Sequence, residues 1–196
     1  TGPRATTASV PALFAAQGHN FSARNLATAA HRAVKLRRHY VDLRRDRRMM
    51  ALADVARSRL ADFTSQHLAN TAWAFAKAGI DALDLFSAIA DTARSRLAEF
   101  KAQHLANTAW AFAKAGIDAL DLFKAIADTA RTQLTAFNAQ ELANTAWAFA
   151  TAGVEARAFL NAIADTARPR LGEFSSQNLA NTAWAFATAR VEAHAL

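Results

Sequence analysis

Leu68 to Phe75 reads LANTAWAF, and the same eight residues start again at Leu105, Leu142 and Leu179, each time 37 residues further on. Self-similarity at a period of roughly 20–50 residues marks an array of small supersecondary units. None of them buries its own apolar face until a neighbour covers it. Such arrays offer long, regular surfaces to extended ligands rather than one reactive pocket.

Working outward from the octapeptide, the units run 63–99, 100–136, 137–173 and a truncated 174–196. Each opens on a phenylalanine followed by a helix-start position: Thr64, Lys101, Asn138 or Ser175. Three of these four side chains can accept a hydrogen bond from an orphan backbone N–H. Asn138 with Glu141 has capping-box spacing, and Phe63 with Leu68, like Phe137 with Leu142, has the spacing of a hydrophobic staple. Leu68, Ala72 and Phe75, with Ala69, Trp73 and Ala76, make two adjacent apolar stripes of one helix. Gly79, Gly116 and Gly153 then fall where a helix ends in a left-handed residue, a place held by Arg190 in the last unit.

A second helix is predicted from Phe86, Ile89, Ala93 and Leu97, which share one face. Asp91–Arg94, Asp128–Arg131 and Asp165–Arg168 read as supporting ion pairs on its polar side. Pro169 should shorten or kink this helix in the third unit, because it has no N–H to donate. Nothing favours strands. The expected fold is all-α, an α-solenoid of stacked antiparallel helix pairs.

The pattern continues towards the N-terminus in weakened form. Residues 49–63 match 86–100, and the segment from Phe21 resembles the one from Phe174 with His31 in place of Trp and Ala33 in place of Phe. Residues 21–62 therefore read as a degenerate, basic N-terminal capping repeat, its five extra residues falling between Arg37 and Arg48. Residues 1–20, with Gly2, Pro3 and Pro11, read as a loose arm.

Composition narrows the functions. The 196 residues are 53% apolar, enough for a sizeable core, yet no apolar run approaches the roughly 20 residues a membrane helix needs. The absence of cysteine excludes disulfides, thiolate metal sites and thiol catalysis. A start at Thr1 reads as a fragment or processed product in which no targeting segment is identifiable. Residues 1–62 hold 12 Lys and Arg against 4 Asp and Glu, whereas residues 63–196 hold 11 against 12. The excess of positive charge thus sits in the N-terminal section, and it fits a polyanionic partner or a solvated arm.

The helix–turn–helix unit with its LANTAWAFAKAG core, at residues 68–79 and 105–116, resembles the octotricopeptide and heptatricopeptide repeats. These are organellar repeat families of algae, apicomplexans and related protists, often found with a RAP domain. The resemblance covers about residues 21–196. It implies sequence-selective binding of single-stranded RNA in chloroplasts or mitochondria, in support of transcript stability, processing or translation. No RAP domain is present in this sequence, so a nuclease-like role has no support.

Modular RNA readers use a few side chains per helical repeat to contact one base. Those positions should be polar, exposed and different between units. His67, His104, Glu141 and Asn178 meet that description and are the base-reading candidates, with a tolerant site near a helix start as the alternative. Asn70, Asn107, Asn144 and Asn181 do not vary, so they cannot discriminate bases. They are expected to contact RNA backbone or to bond to one another as an inter-repeat ladder. Lys77 and Lys114, on the same face, are candidate phosphate contacts, replaced by Thr151 and Thr188 further on. Arg37, Arg38, Arg44, Arg45, Arg47 and Arg48 form the candidate basic capture patch. Trp73, Trp110, Trp147 and Trp184 lie between alanines on the apolar stripe, which favours packing between units over stacking of bases.

Enzyme readings fare badly. There is no Gly-rich phosphate loop and no nucleophile–base constellation. His67 and His104 would stand about 8–10 Å apart on stacked helices, too far to share a metal ion. The sequence therefore predicts a non-catalytic RNA-binding array with no metal, no cofactor, no membrane and no small-molecule substrate. The alternative is a protein–protein scaffold of the armadillo or tetratricopeptide type, since helical arrays serve both purposes.

Overall fold

The computed structural model describes residues 21–35 and 43–191. The expectations for residues 1–20, Arg37, Arg38 and the side chain of Arg45 lie outside the described residues. Every regular element within them is helical. Five first helices are α1 (Ala23–Lys35), α3 (Ser65–Ala78), α5 (Ala102–Ala115), α7 (Ala139–Thr151) and α9 (Ser176–Thr188). Four second helices alternate with them: α2 (Arg47–Arg57), α4 (Leu83–Arg94), α6 (Leu120–Arg131) and α8 (Arg157–Ala167). Short 3-10 turns, such as Leu60–Asp62 and Leu97–Glu99, lead from each second helix into the next unit.

The first helices pack side by side in chain order, and the second helices form a looser layer against them. Side-chain size accounts for the difference. Ala69, Ala72, Ala74 and Thr71 are all buried on α3, as are their counterparts on α5 and α7, so these backbones approach closely. The second helices contribute bulkier groups to the space between layers. Phe86 of α4 meets Phe112 of α5 edge to face at 5.2 Å, and Phe123 of α6 meets Phe149 of α7 the same way at 5.1 Å. One apolar cluster runs without interruption from Ala23 to Val191.

The turns follow the residues that write them. Gly79, Gly116 and Gly153 take φ of +68°, +67° and +65°, and the N–H of the next residue closes back on the helix, as Ile80 does on the Phe75 carbonyl at 3.1 Å. Arg190 enters the same left-handed region at φ +50°, so the turn forms without its glycine and at a steric cost. Pro169 ends α8 at Ala167 and the chain continues as a 3-10 turn, Arg168–Glu173. Two of the three expected ion pairs form, Asp91–Arg94 at 3.5 Å and Asp165–Arg168 at 3.1 Å. Asp128 and Arg131, exposed like the other two pairs, do not close to bonding distance among the described residues.

One device escapes the sequence reading. At the end of each unit a long side chain reaches back to the carbonyl of that unit's opening phenylalanine. Arg96 donates to Phe63 O at 2.8 Å, Gln133 to Phe100 O at 3.2 Å, Arg170 to Phe137 O at 2.8 Å, and Arg59 to Phe21 O. Arg96 and Arg170 are held for the task by bidentate pairing with Glu99 and Glu173. The hydrogen bond ties the entry of the first helix to the exit of the second.

Candidate nucleic-acid interface

Four positions per first helix, spaced i, i+4, i+7, i+11, lie on one stripe of the helix surface. Laid across the layer, they make rows. The first row is Arg24, Gln66, Gln103, Gln140 and Gln177, all exposed. The second is Thr28, then Asn70, Asn107, Asn144 and Asn181, the asparagines half-buried. The third is His31, Trp73, Trp110, Trp147 and Trp184, and the fourth is Lys35, Lys77, Lys114, Thr151 and Thr188. No carboxylate stands on any of these rows. Over the five first helices there are five basic residues and one acidic one, Glu141; the four second helices hold seven and six.

The third row is a continuous ladder of rings. His31 and Trp73 lie 5.1 Å apart, and the three Trp–Trp steps are 6.4, 6.3 and 6.4 Å with interplanar angles of 32–33°. The expectation that the tryptophans would vanish into packing between units is only half met. Trp73, Trp110 and Trp147 stay partly exposed although helices flank them on both sides. The phenylalanines two residues on, Phe75, Phe112 and Phe149, are the ones fully buried. Trp sits one position round the helix from that inward face, on the border between core and polar rows.

The asparagines make no hydrogen bond to one another or to other protein groups among the described residues, so the inter-repeat amide ladder does not form. Their amides are left as free donors and acceptors beside the rings. Lys77 and Lys114 are exposed and, among the described residues, without an ion pair.

The base-reading candidates are placed differently. His67, His104, Glu141 and Asn178 stand in the first turns of α3, α5, α7 and α9, half-buried, and three of them are committed to capping. Thr64 N–H donates to His67 Nδ1 and Lys101 N–H to His104 Nδ1, each at 3.4 Å; Asn138 N–H donates to Glu141 Oε2 at 2.9 Å. In return Thr64, Asn138 and Ser175 accept from the backbone N–H groups of His67, Glu141 and Asn178, whereas Lys101 has no acceptor to offer. The capping box expected at Asn138 thus extends to imidazole in place of carboxylate. Because Nδ1 accepts, the proton of each neutral ring is on Nε2. Burial, helped by Arg24 at His67 and by Lys101 at His104, holds both rings below the ordinary imidazole range. The Ser65 hydroxyl lies 3.1 Å from both Glu99 O and His104 Nδ1, linking one unit to the cap of the next.

The basic patch divides. Arg48 is neutralised by Asp46, which it meets twice at 2.9 Å while Asp46 caps α2. That pairing lowers the Asp46 carboxyl below its usual range. Arg44 lies against Gly79, where an added Cβ would stand 3.0 Å from its Nε, so it adjoins the end of α3 that carries Lys77. Arg47 is exposed at the start of α2. Among the described residues no group of three or more His, Asp or Glu side chains is placed to hold a metal ion, and no helix is long and apolar enough to cross a membrane.

With this geometry in hand, comparison with known proteins gives one family. The family described as RESC6, RNA-editing substrate-binding complex 6 protein, matches residues 15–195. No curated protein matches the chain.

Proposed function

This chain belongs to the RNA-editing substrate-binding complex 6 protein family, and on that premise we propose that it is a non-catalytic, sequence-selective binder of single-stranded RNA. In this reading the helix pairs stack into a solenoid with a 37-residue repeat of the octotricopeptide type. The protein serves RNA editing, stability, processing or translation in a chloroplast or mitochondrion, alongside protein partners of the same assembly. The family name supports an RNA-related assembly, and the repeat resemblance supports the organelle and the single-stranded ligand.

The observation that carries the reading is the sorting of charge. The first-helix surface presents rows of amides, rings and lysines without a carboxylate, while acidic side chains gather on the second helices and their turns, as Asp81, Asp84, Asp118 and Asp121 do. A phosphate backbone meets net attraction on the first layer, whereas on the second helices the basic side chains are nearly balanced by the acidic ones. Binding selection from a random single-stranded RNA pool tests it: retained sequences should share a motif. Replacing Lys35, Lys77 and Lys114 with Gln should weaken all of them and flatten the dependence of log affinity on log salt, by up to about 0.7 for each phosphate that is no longer neutralised. Absence of retained RNA at moderate salt would refute the proposal.

A protein scaffold is the second reading. It is favoured by one feature, the shallow groove between α4 and α6, where exposed Leu83 and Leu120 stand beside Asp91, Asp118 and Asp121.

A further inference from the structure

We propose that the row Trp73–Trp110–Trp147–Trp184 is a platform on which unpaired bases stack, one base to a unit. The inference rests on the single-stranded RNA reading above and adds the mode of contact.

Core packing accounts for only part of each ring. Each unit fills its interior with Leu, Phe and Ile side chains at or near zero exposure, whereas Trp73, Trp110 and Trp147 pack against that core and stay partly exposed, and Trp184 is exposed. Buried indole N–H groups generally find a partner. None of these four donates to a protein acceptor among the described residues, so each is free for a base or phosphate oxygen.

The neighbours suit a nucleic acid and no other common ligand as well. On one side of the ladder lie the unbonded Asn70, Asn107, Asn144 and Asn181, able to meet base edges; on the other lie Lys35, Lys77 and Lys114, able to meet phosphate. A lipid surface or an apolar peptide would have to strip water from those amides without replacing their hydrogen bonds.

The ladder's spacing selects the form of the strand. A helically stacked strand advances about 3.4 Å per nucleotide, roughly half the 6.3–6.4 Å between successive rings. A strand stacked with itself therefore brings two bases to each ring, whereas an extended strand brings one base to a ring. Because every base has a π-face, stacking tolerates any sequence. Selectivity is left to the polar side chains beside the rings. The lysine row fades to Thr151 and Thr188, so the C-terminal units hold RNA by stacking more than by charge.

The test uses the full chain and two labelled probes of about ten nucleotides, an oligoadenylate and an abasic strand with the same backbone. The parent protein should bind oligoadenylate at least about 5-fold more tightly. Trp110→Leu should lose about 5- to 150-fold for oligoadenylate, the range that one base on one aromatic ring gives, and nothing for the abasic strand. Trp110→Phe should keep most of the affinity. Equal binding of the two probes by the parent overturns the stacking platform and leaves RNA binding standing, since phosphate contacts then do the work. Binding of neither probe overturns the platform, because stacking tolerates any sequence, and leaves sequence-selective RNA binding to be decided by the random-pool selection. If Trp110→Leu does not fold, four variants each keeping one tryptophan, with Phe at the other three positions, decide the matter by fluorescence. Quenching by oligoadenylate and not by the abasic strand supports the platform, and emission unchanged in all four overturns it.

Discussion

Leu142→Ala and Leu179→Ala change the same residue in the same octapeptide, so any difference between them comes from the tertiary environment alone. Leu142 is 0% exposed, covered by the next first helix; Leu179, on the last one, is 43% exposed. The change removes three carbons, worth about 0.8 kcal/mol each when buried, and at Leu142 it also leaves a cavity. The expected cost there is about 3–4 kcal/mol, inside the range measured for buried leucines. At Leu179 roughly half of the transfer term is already lost to water and the site is open to collapse, so about 1 kcal/mol is expected. Urea denaturation followed by helical circular dichroism measures both. At about 2–4 °C per kcal/mol for a chain of this size, thermal melting should separate the variants by roughly 5–10 °C. Equal losses would refute the reasoning, because they would mean that α7 and α9 are covered to the same degree and that successive first helices do not bury one another.

Arg96→Ala should cost about 1–3 kcal/mol by leaving the Phe63 carbonyl unpaired, whereas Arg94→Ala, whose ion pairs are exposed, should cost under about 1 kcal/mol; paired denaturation curves distinguish them. Gly116→Ala should destabilise by about 1 kcal/mol because its φ is +67°, and Arg190→Gly should stabilise by a similar amount for the converse reason, both read from urea midpoints. His67 and His104 titrate below their unfolded value of about 6.5. The unfolded chain therefore binds protons first, and their contribution to stability, present above that pH, should decline as pH falls through about 6.5. The melting temperature should drop between pH 7.5 and 5.5, and the double variant His67→Gln, His104→Gln should show a smaller drop.

Much of the local architecture was legible because it depends on residues close in the chain. Caps at Thr64, Asn138 and Ser175, left-handed turns at the glycines and the stop at Pro169 are all decided within one or two turns of helix. The Arg96–Phe63 bond was not legible, since its partners stand 33 residues apart and nothing local marks a carbonyl as needing a donor. The candidate site was read in part. His67, His104 and Glu141 vary between units as base readers should, yet the side chain of each also satisfies a backbone N–H at its own helix start. The asparagines are constant as a structural ladder should be, yet they bond to no protein group among the described residues.

The sequence and its period by themselves determine that this protein is helical, where the first helices begin and end, and which stripe of each is apolar; the second helices end earlier than their apolar spacing predicts, at Arg94 in α4, with Leu97 in the 3-10 turn that follows. Hydrogen bonds within a helix and the preferences of Gly, Pro and capping residues act over a few residues, and the chain carries that information directly. Tertiary structure alone decided which border positions are covered. Trp110 and Phe112 are two residues apart on one helix and equally apolar in the sequence, but one is partly open and the other closed. Trp147 and Trp184 belong to identical octapeptides and differ because, among the described residues, only Trp147 has a helix on its far side. Burial is a property of neighbours brought together by the fold, and no spacing within a unit specifies it.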